Sequence, residues 1–187
     1  EFQKNPRIFF ANKEIKSPKD MVGMKYRIPN LPIFEKNARA MGATPVVVAW
    51  SEYPFALMQG VVDGGECSKD SYRSTGLYES AKYVADVDYA YPVEQICFST
   101  QFWNSLSEED QKVISDAAAQ VASHHSERTL DKWEEDKEWL INEGGVTFCD
   151  IDRQAFIDAA EPLGKELQDE GFFTTKDLYD QTRQFNK

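Results

Sequence analysis

The sequence of 187 residues contains few cysteines, only two histidines and no long apolar run. No stretch approaches the roughly 18 apolar residues of a membrane-spanning helix, so we expect no direct membrane insertion. The three widely spaced cysteines, Cys67, Cys97 and Cys149, exclude a disulfide framework and a Cys-x-x-Cys site. His124 and His125 are adjacent, so on a helix they diverge by about 100° and cannot share a metal. No metal site and no cofactor are expected.

Basic residues are also scarce. The sequence has 21 Lys and Arg against 32 Asp and Glu, which gives a net charge of −11. This balance disfavours nucleic acid and anionic membranes as partners, since both attract a basic surface. The dinucleotide, phosphate-loop, zinc-protease and serine-hydrolase motifs are absent. What the sequence does contain is 41% hydrophobic and 13% aromatic residues, enough for a sizeable folded core.

The first 70 residues alternate between strand and helix patterns. Strands are predicted at residues 7–10, 24–28, 46–50 and 61–62, with helices starting at Ser17, spanning 31–41 and spanning 51–59. This alternation predicts an α/β fold with a parallel sheet, and the strand at 46–50 is expected to be buried on both faces. Ligands of such sheets bind beyond the carboxyl ends of the strands. Those ends are predicted at residues 27–30, 50–52 and 63–67, where Asp63-Gly64-Gly65 forms a turn.

The second half contains one unusually long helix pattern. Ser107 is a capping residue, and nothing interrupts the pattern before Gly144-Gly145. A helix of that length would span about 55 Å, enough to bridge two lobes. Around it we predict a helix at 76–83, a strand at 89–99, a strand at 146–149, a helix at 152–170 that is kinked or divided at Pro162, and a helix at 177–185.

Two arginines and one tryptophan stand out by their positions. Arg27 is at the carboxyl end of a predicted strand, where its planar guanidinium could hold a carboxylate with two charge-assisted hydrogen bonds. The alternative is a surface arginine paired with an acid, and Arg7 allows the same two interpretations. Trp50 would be an apolar wall of the site or an ordinary core residue. Together with Tyr53, Tyr72 and Tyr91, it indicates a cleft that tolerates aromatic groups.

Five segments resemble a known family in their order and spacing. They are SPKDMVGMKYRIPN at 17–30, MGATP at 41–45, WSEYPFALMQGVVDG at 50–64, LYE at 77–79 and FWNSLSEEDQK at 102–112. Together they resemble the substrate-binding proteins of TRAP transporters, the DctP-type family, over nearly the whole chain.

The resemblance implies a periplasmic-binding-protein-like fold of type II, with two α/β lobes, a hinge and a long inter-lobe helix. It also implies that the N-terminal lobe is largely missing. Residues 1–92 and 133–187 would form the second lobe, and 93–132 would belong to the first lobe and the crossing helix. The implied function is that of a periplasmic solute receptor, not an enzyme, which delivers a small organic acid to the membrane subunits of a TRAP permease.

The resemblance assigns the ligand-binding residues as well. Arg27 matches the arginine that clamps the ligand carboxylate, and Asn30 follows it in the same motif. Arg7 matches an arginine that contacts the ligand in sialic-acid-type relatives, and Trp50 matches an aromatic residue that lines the cleft.

The family motif Asp-Gly-Gln-Glu-Asn-Pro reads Asp-Gly-Gly-Glu-Cys-Ser at residues 63–68. Glu66 is retained, whereas Cys67 replaces a frequent ligand-binding asparagine. A thiol is a weak hydrogen-bond donor, so the second contact with the carboxylate is weakened or replaced. Some relatives that bind 2-oxo acids hold a metal ion near the position of Glu66, but none is predicted here.

Two alternatives stay open. A small α/β enzyme acting on a carboxylate substrate would need Glu66 or Cys67 as its base or nucleophile. A helical interaction module built on residues 107–143 would need an unbroken apolar heptad seam, which the charges at 134–138 interrupt.

Overall fold

A computed structural model describes residues 2–185, which form an α/β unit around one six-stranded sheet, with a separate two-stranded ribbon. No helix among the described residues combines the length and the apolar character that a bilayer span requires. The strands are β1 (Phe2–Gln3), β2 (Arg7–Ala11), β3 (Lys25–Ile28), β4 (Thr44–Val47), β5 (Gly64–Ser68), β6 (Tyr83–Ala85), β7 (Val93–Glu94) and β8 (Thr147–Phe148). The helices are α1 (Pro18–Met21), α2 (Pro32–Ala40), α3 (Tyr53–Met58), α4 (Lys69–Ser74), α5 (Thr100–Ser105), α6 (Glu108–Asn142), α7 (Arg153–Asp169) and α8 (Leu178–Arg183).

The large sheet has the strand order β4-β3-β5-β2-β6-β8 and is mixed. β3 runs parallel to β4 and β5, and β6 runs parallel to β8, but β2 is antiparallel to both of its neighbours. The predicted α/β fold is therefore confirmed, whereas the wholly parallel sheet is wrong. The local alternation of strands and helices does not reveal that β2 runs in the opposite direction to β5 and β3.

β4 lies at one edge of the sheet and none of its four residues is buried, so the expectation of a strand buried on both faces at residues 46–50 is wrong. The strand ends at Val47, whose side chain is exposed, and Trp50 begins a short 3-10 helix (Trp50–Glu52). Because this turn includes Ser51, the predicted capping residue, α3 begins later, at Tyr53. An apolar run does not reveal how many strands flank it, so the sequence could not separate an edge strand from a central one.

The predicted turn at Asp63-Gly64-Gly65 is the start of β5, which replaces the expected strand at residues 61–62. Close packing explains the two glycines. A Cβ at Gly64 would overlap the backbone carbonyl of Phe10, and one at Gly65 would overlap the hydroxyl of Tyr53. Glycine inside a strand often marks such a close approach, which the sequence presents as a turn signal.

Two further predictions are wrong because the strands in these segments pair with residues that are distant in the sequence. The strand expected at 89–99 is limited to β7, which pairs with β1, and the residues after it are exposed. The helix expected at 76–83 is a single 3-10 turn (Leu77–Glu79), followed by β6. Neither α4, α5 nor β6 was predicted.

The long helix is confirmed as α6, whose 35 residues span about 50 Å. The side chain of Ser107 accepts a hydrogen bond from the backbone N–H of Asp110, as a capping residue should. α7 is one helix that contains Pro162, so it is not divided there. The predicted terminal helix corresponds to α8, and the predicted strand at 146–149 corresponds to β8.

Each face of the sheet packs against its own apolar cluster. Tyr53, Tyr72 and Trp133 belong to the cluster on one face, and Phe9 and Tyr26 belong to the cluster on the other. Arg7 opposes Ser68 in the register, so the start of β2 lies at the same edge as the carboxyl ends of β3 and β5. This edge carries the candidate site.

Candidate functional site

Arg27 is the penultimate residue of β3, and only 4% of its surface is exposed to solvent. Its Nε donates a hydrogen bond to the backbone carbonyl of Val48 at 2.9 Å. Its Cζ lies 4.7 Å from the ring centroid of Tyr53 and 5.4 Å from that of Trp50. One backbone contact and two aromatic rings therefore fix the orientation of the guanidinium.

The guanidinium of Arg27 has no counter-ion in the part of the chain that the structure describes. Its two terminal nitrogens have no hydrogen-bond partner there, and they keep some contact with solvent. Burial lowers the pKa of Arg27 from its usual range, while the nearby Tyr53 and Glu66 act in the opposite direction. Arginine nevertheless stays charged in proteins, so this is a buried cation with unused donors, an arrangement that favours an anionic ligand.

Arg7 is held differently, by Glu66 and Tyr89. Its Nε donates to the Oε2 of Glu66 and, at 3.3 Å, to the hydroxyl of Tyr89. The Tyr89 hydroxyl in turn donates to the same Glu66 oxygen at 2.6 Å. Burial lowers the pKa of Arg7, but the hydrogen bond and charge of Glu66, with Tyr89, outweigh it and raise the pKa above the usual value. Arg7 is thus ion-paired, whereas Arg27 is not.

Glu66 is itself 1% exposed, and its other carboxylate oxygen, Oε1, is buried without a hydrogen-bond partner among residues 2–185. Beside this group, a cavity of about 250 Å³ is lined by Arg7, Phe34 and Tyr89. The Cζ of Arg7 lies 5.4 Å from the ring centroid of Phe34. The two terminal nitrogens of Arg7 form no hydrogen bond in the described part of the chain, so they remain available at this cavity.

The predicted residues reach one edge from opposite faces of the sheet. Successive side chains of a strand alternate between faces, so Glu66 and Cys67 point away from each other. Cys67 belongs to the apolar cluster of Tyr53, the ring under Arg27, whereas Glu66 binds Arg7 on the other face. Arg7 and Glu66 both influence the pKa of Arg27, so the two groups still act on one another across the edge.

Trp50 and Asn30 form the outer part of this region. Trp50 is 41% exposed and packs edge-on against Tyr53, with 5.8 Å between the ring centroids. Asn30 is exposed directly after β3. Trp50 is therefore a rim residue beside Arg27 rather than a core residue.

Cys67 is fully enclosed, and burial raises the pKa of its thiol well above the usual range. A neutral, buried thiol is a poor nucleophile, which disfavours the enzyme alternative. The helical-module alternative fares no better, because α6 buries Trp133, Asp136 and Leu140 against the rest of the chain.

Sequence reasoning missed several groups at the site. Tyr89 and Phe34 carry no motif, and the Val48 carbonyl is a backbone group. Of the tyrosines that were considered, Tyr53 contacts both Arg27 and Trp50. Tyr72 is buried and donates to the carbonyl of Ala81 at 2.5 Å.

Comparison with known proteins identifies the family. The model of family 7 of the bacterial extracellular solute-binding proteins, DctP, matches residues 2–170. A solute-binding protein of Roseobacter denitrificans is 34% identical over 160 residues, which cover 86% of this chain and 49% of that protein. The chain thus spans about half the length of the curated relatives it matches.

Two solved structures superpose on the described fold. A TRAP periplasmic solute-binding protein of Roseobacter denitrificans with bound L-galactonate has a TM-score of 0.85 at 29% identity, and the match covers 100% of this chain and 60% of that one. A TRAP periplasmic solute-binding protein of Ochrobacterium anthropi with bound L-fuconate has a TM-score of 0.85 at 32% identity, and covers 96% and 58%.

These matches confirm the predicted resemblance, the fold class and the expectation of a binding protein rather than an enzyme. The expected periplasmic location agrees with the relatives, whose structures are those of periplasmic proteins. The chain belongs to family 7 of the bacterial extracellular solute-binding proteins, the DctP family.

Proposed function

We propose that this protein is the periplasmic solute receptor of a TRAP transporter, binds a small organic acid through Arg27 and delivers it to the membrane subunits of the permease. The observation that supports the clamp is the buried guanidinium of Arg27, which has no counter-ion within residues 2–185. A buried charge without a partner is costly, and a bound carboxylate would supply the missing partner.

The geometry around Arg27 favours a planar anion. Because Nε is engaged by the Val48 carbonyl, the two terminal nitrogens remain for the ligand. They can donate to the two oxygens of one carboxylate, which is the strongest arrangement for such a pair. The rings of Tyr53 and Trp50 stiffen the guanidinium, so little side-chain freedom is lost on binding.

We propose a sugar acid as the ligand class. The two relatives described above hold L-galactonate and L-fuconate, and each of these molecules carries one carboxylate and several hydroxyls. In this chain, the unpartnered Oε1 of Glu66 could accept a ligand hydroxyl, and the terminal nitrogens of Arg7 could donate to another. Trp50 offers a partly exposed ring to the apolar face of a sugar carbon chain.

Asn30 and Cys67 complete the proposed site in minor roles. Asn30 is exposed at the mouth, where its amide can reach a ligand hydroxyl. Cys67 packs in the cluster beneath Tyr53, so it would shape the floor of the site and supply at most a weak hydrogen bond.

We also propose that residues 1–92 and 133–187 form one lobe, while residues 93–132 belong to a second lobe and the helix that crosses to it. The support is a group of exposed apolar side chains within that segment, which would be covered in a complete two-lobe receptor. These residues are Ile96, Phe98, Phe102, Val113 and Val121. Closure of the two lobes would add ligand contacts, provided that the ligand favours the closed state.

The experiment begins with mass spectrometry of the gently purified protein to look for a bound acid. Calorimetric titration with L-galactonate, L-fuconate and succinate then ranks the ligands, and we expect the sugar acids to bind more tightly. Arg27→Ala should weaken binding by roughly 30-fold to several thousand-fold. Arg7→Ala should have a smaller, ligand-dependent effect because Arg7 is already paired.

The matched control is Arg39→Ala, since Arg39 is exposed and paired with Glu35 on α2. It should leave the affinity unchanged. Wild-type affinity in the Arg27→Ala variant would remove Arg27 from the proposed role, and the absence of binding to any of these acids would contradict the receptor itself.

A further inference from the structure

A second cavity, of about 410 Å³, lies between α6, the start of α4 and the segment that precedes β2. It includes no residue of the Arg27 site. The polar residues that line it and carry the inference are Lys4, Asn5, Asp70, Glu94, Arg128 and Lys132.

One wall of this cavity presents unpartnered acceptors. Asn5 is 1% exposed, and its Nδ2 donates to the backbone carbonyl of Thr129 at 2.9 Å. This contact fixes the amide, so that Oδ1 is a buried acceptor with no partner in the described part of the chain. The Oδ1 of Asp70 is likewise buried and unpartnered. The backbone N–H of Lys69 donates to the carbonyl of Pro6 at 3.1 Å, which keeps these two segments side by side.

The other wall, formed by α6, presents cations, while Lys4 lies beside Asn5 in the segment before β2. Arg128 and Lys132 are four residues apart on α6, so they share one face of the helix. Lys132 pairs with Asp136, and Lys4 pairs with Glu94 at 3.0 Å. Arg128 makes neither a hydrogen bond nor an ion pair within residues 2–185. Arg128 is exposed on α6, so its guanidinium is available to an anionic group at this cavity.

We propose that this cavity binds a small zwitterionic amino acid. The ligand ammonium would donate to the Oδ1 atoms of Asn5 and Asp70, and the ligand carboxylate would accept from Arg128. Lys132 would add to the positive field around the carboxylate. Acceptors on one wall and cations on the other thus match the two ends of one ligand.

Other ligand classes fit less well. A simple carboxylate would leave both buried acceptors without donors. Hydrogen phosphate carries one proton near neutral pH, whereas two acceptors require two donors. A metal cation would share the cavity with Lys4, Arg128 and Lys132, whose positive charges outnumber the negative charges of Asp70 and Glu94 and oppose it.

The test uses the Arg27→Ala variant of the chain, so that binding of a carboxylate at Arg27 does not contribute to the measured affinity. Glycine, L-alanine and L-serine are titrated separately by calorimetry, together with acetate, methylammonium and glycine betaine. We expect at least one amino acid to bind, and to raise the unfolding temperature as its concentration increases. Acetate and methylammonium each lack one charged end, and betaine lacks the N–H groups, so each should bind at least about tenfold more weakly.

Two variants probe the two walls in the same background. Arg128→Gln lies on an exposed part of α6 and should fold normally, while Asp70→Asn keeps the shape of the side chain. Each should weaken amino-acid binding at least about tenfold, and the surface control Arg39→Gln should not.

The outcomes separate this site from the proposed function, because the tested variant already lacks Arg27. Failure of all three amino acids to bind would overturn the proposal, and the cavity would then hold only water. Equal affinities for acetate and L-alanine would also overturn it, since the acceptor wall would then have no role. Unchanged affinity in Arg128→Gln would place any binding elsewhere.

Discussion

The guanidinium of Arg27 lies over the ring of Tyr53, with 4.7 Å between Cζ and the ring centroid, and the Tyr53 hydroxyl is buried without a hydrogen-bond partner among the described residues. The tyrosine therefore supports the arginine through its ring and not through its hydroxyl. A cation–π contact of this kind favours the charged form while leaving the donors of the guanidinium free. Burial keeps the phenol neutral, since it raises the pKa of Tyr53 well above the usual range.

Tyr53→Phe should leave stability unchanged or raise it by up to about 1–2 kcal/mol, because the variant removes a buried group that has no partner. Urea unfolding monitored by circular dichroism measures this change. Tyr53→Ala is the control that removes the ring, and it should lower the free energy of unfolding by about 3–5 kcal/mol. A loss of stability in Tyr53→Phe as large as that in Tyr53→Ala would show that the hydroxyl is needed.

Gly65→Ala should destabilise the protein by about 1–3 kcal/mol or more, because the new Cβ would overlap the Tyr53 hydroxyl. Combining it with Tyr53→Phe should recover part of this loss, though not all. The Cβ would still lie 3.0 Å from the Cζ of Tyr53 and 3.1 Å from the carbonyl oxygen of Arg27. Strict additivity of the two changes in the free energy of unfolding would contradict this packing.

Glu66→Gln should destabilise the protein by about 2–3 kcal/mol, because it leaves the positive charge of Arg7 without its partner. The cost is placed below that of a fully buried pair because Arg7 still reaches solvent. Glu35→Gln removes the exposed ion pair with Arg39 and should cost less than about 0.5 kcal/mol. Thermal unfolding of the two variants compares them, and equal losses would refute the buried pair.

The thiols of Cys67 and Cys97 should differ in reactivity. Cys97 is exposed and should react at once with a disulfide reagent, whereas Cys67 is buried and should react only when the protein unfolds. Because burial raises the pKa of Cys67, the folded chain retains a proton that the unfolded chain loses above about pH 8.5. Stability should therefore fall as the pH rises above about 8.5.

Cys67→Ala should make this pH dependence shallower than it is in the parent protein. Measurement of the free energy of unfolding at several pH values provides the comparison. Rapid modification of Cys67 in the native protein would contradict the enclosed position.

The features that the sequence predicts well are local ones. Ser107 and the glycines at 144–145 mark the ends of α6, because capping and helix termination depend on neighbouring residues. Arg27 could be placed at a strand end for the same reason, since Pro29 stops the strand pattern directly after it. Motif resemblance then identified the family, which the comparisons confirm.

The features that cannot be predicted from the sequence depend on contacts between residues that are distant along the chain. Gly64 and Gly65 indicate a turn by themselves, and only the approach of Phe10 and Tyr53 makes them part of β5. Tyr89 reaches Glu66 across β2, a contact between residues that no local pattern relates. The edge position of β4 and the reversed direction of β2 are also decided by the arrangement of the whole sheet.

The most direct test of the proposed receptor is a double cycle on Arg27 and the ligand carboxylate. Calorimetry compares L-galactonate with its uncharged amide, in the parent protein and in Arg27→Ala. The proposed clamp predicts that the parent prefers the acid by at least about 30-fold, and that this preference disappears in the variant. If Arg27→Ala keeps the preference of the parent, another group holds the carboxylate and the clamp is wrong.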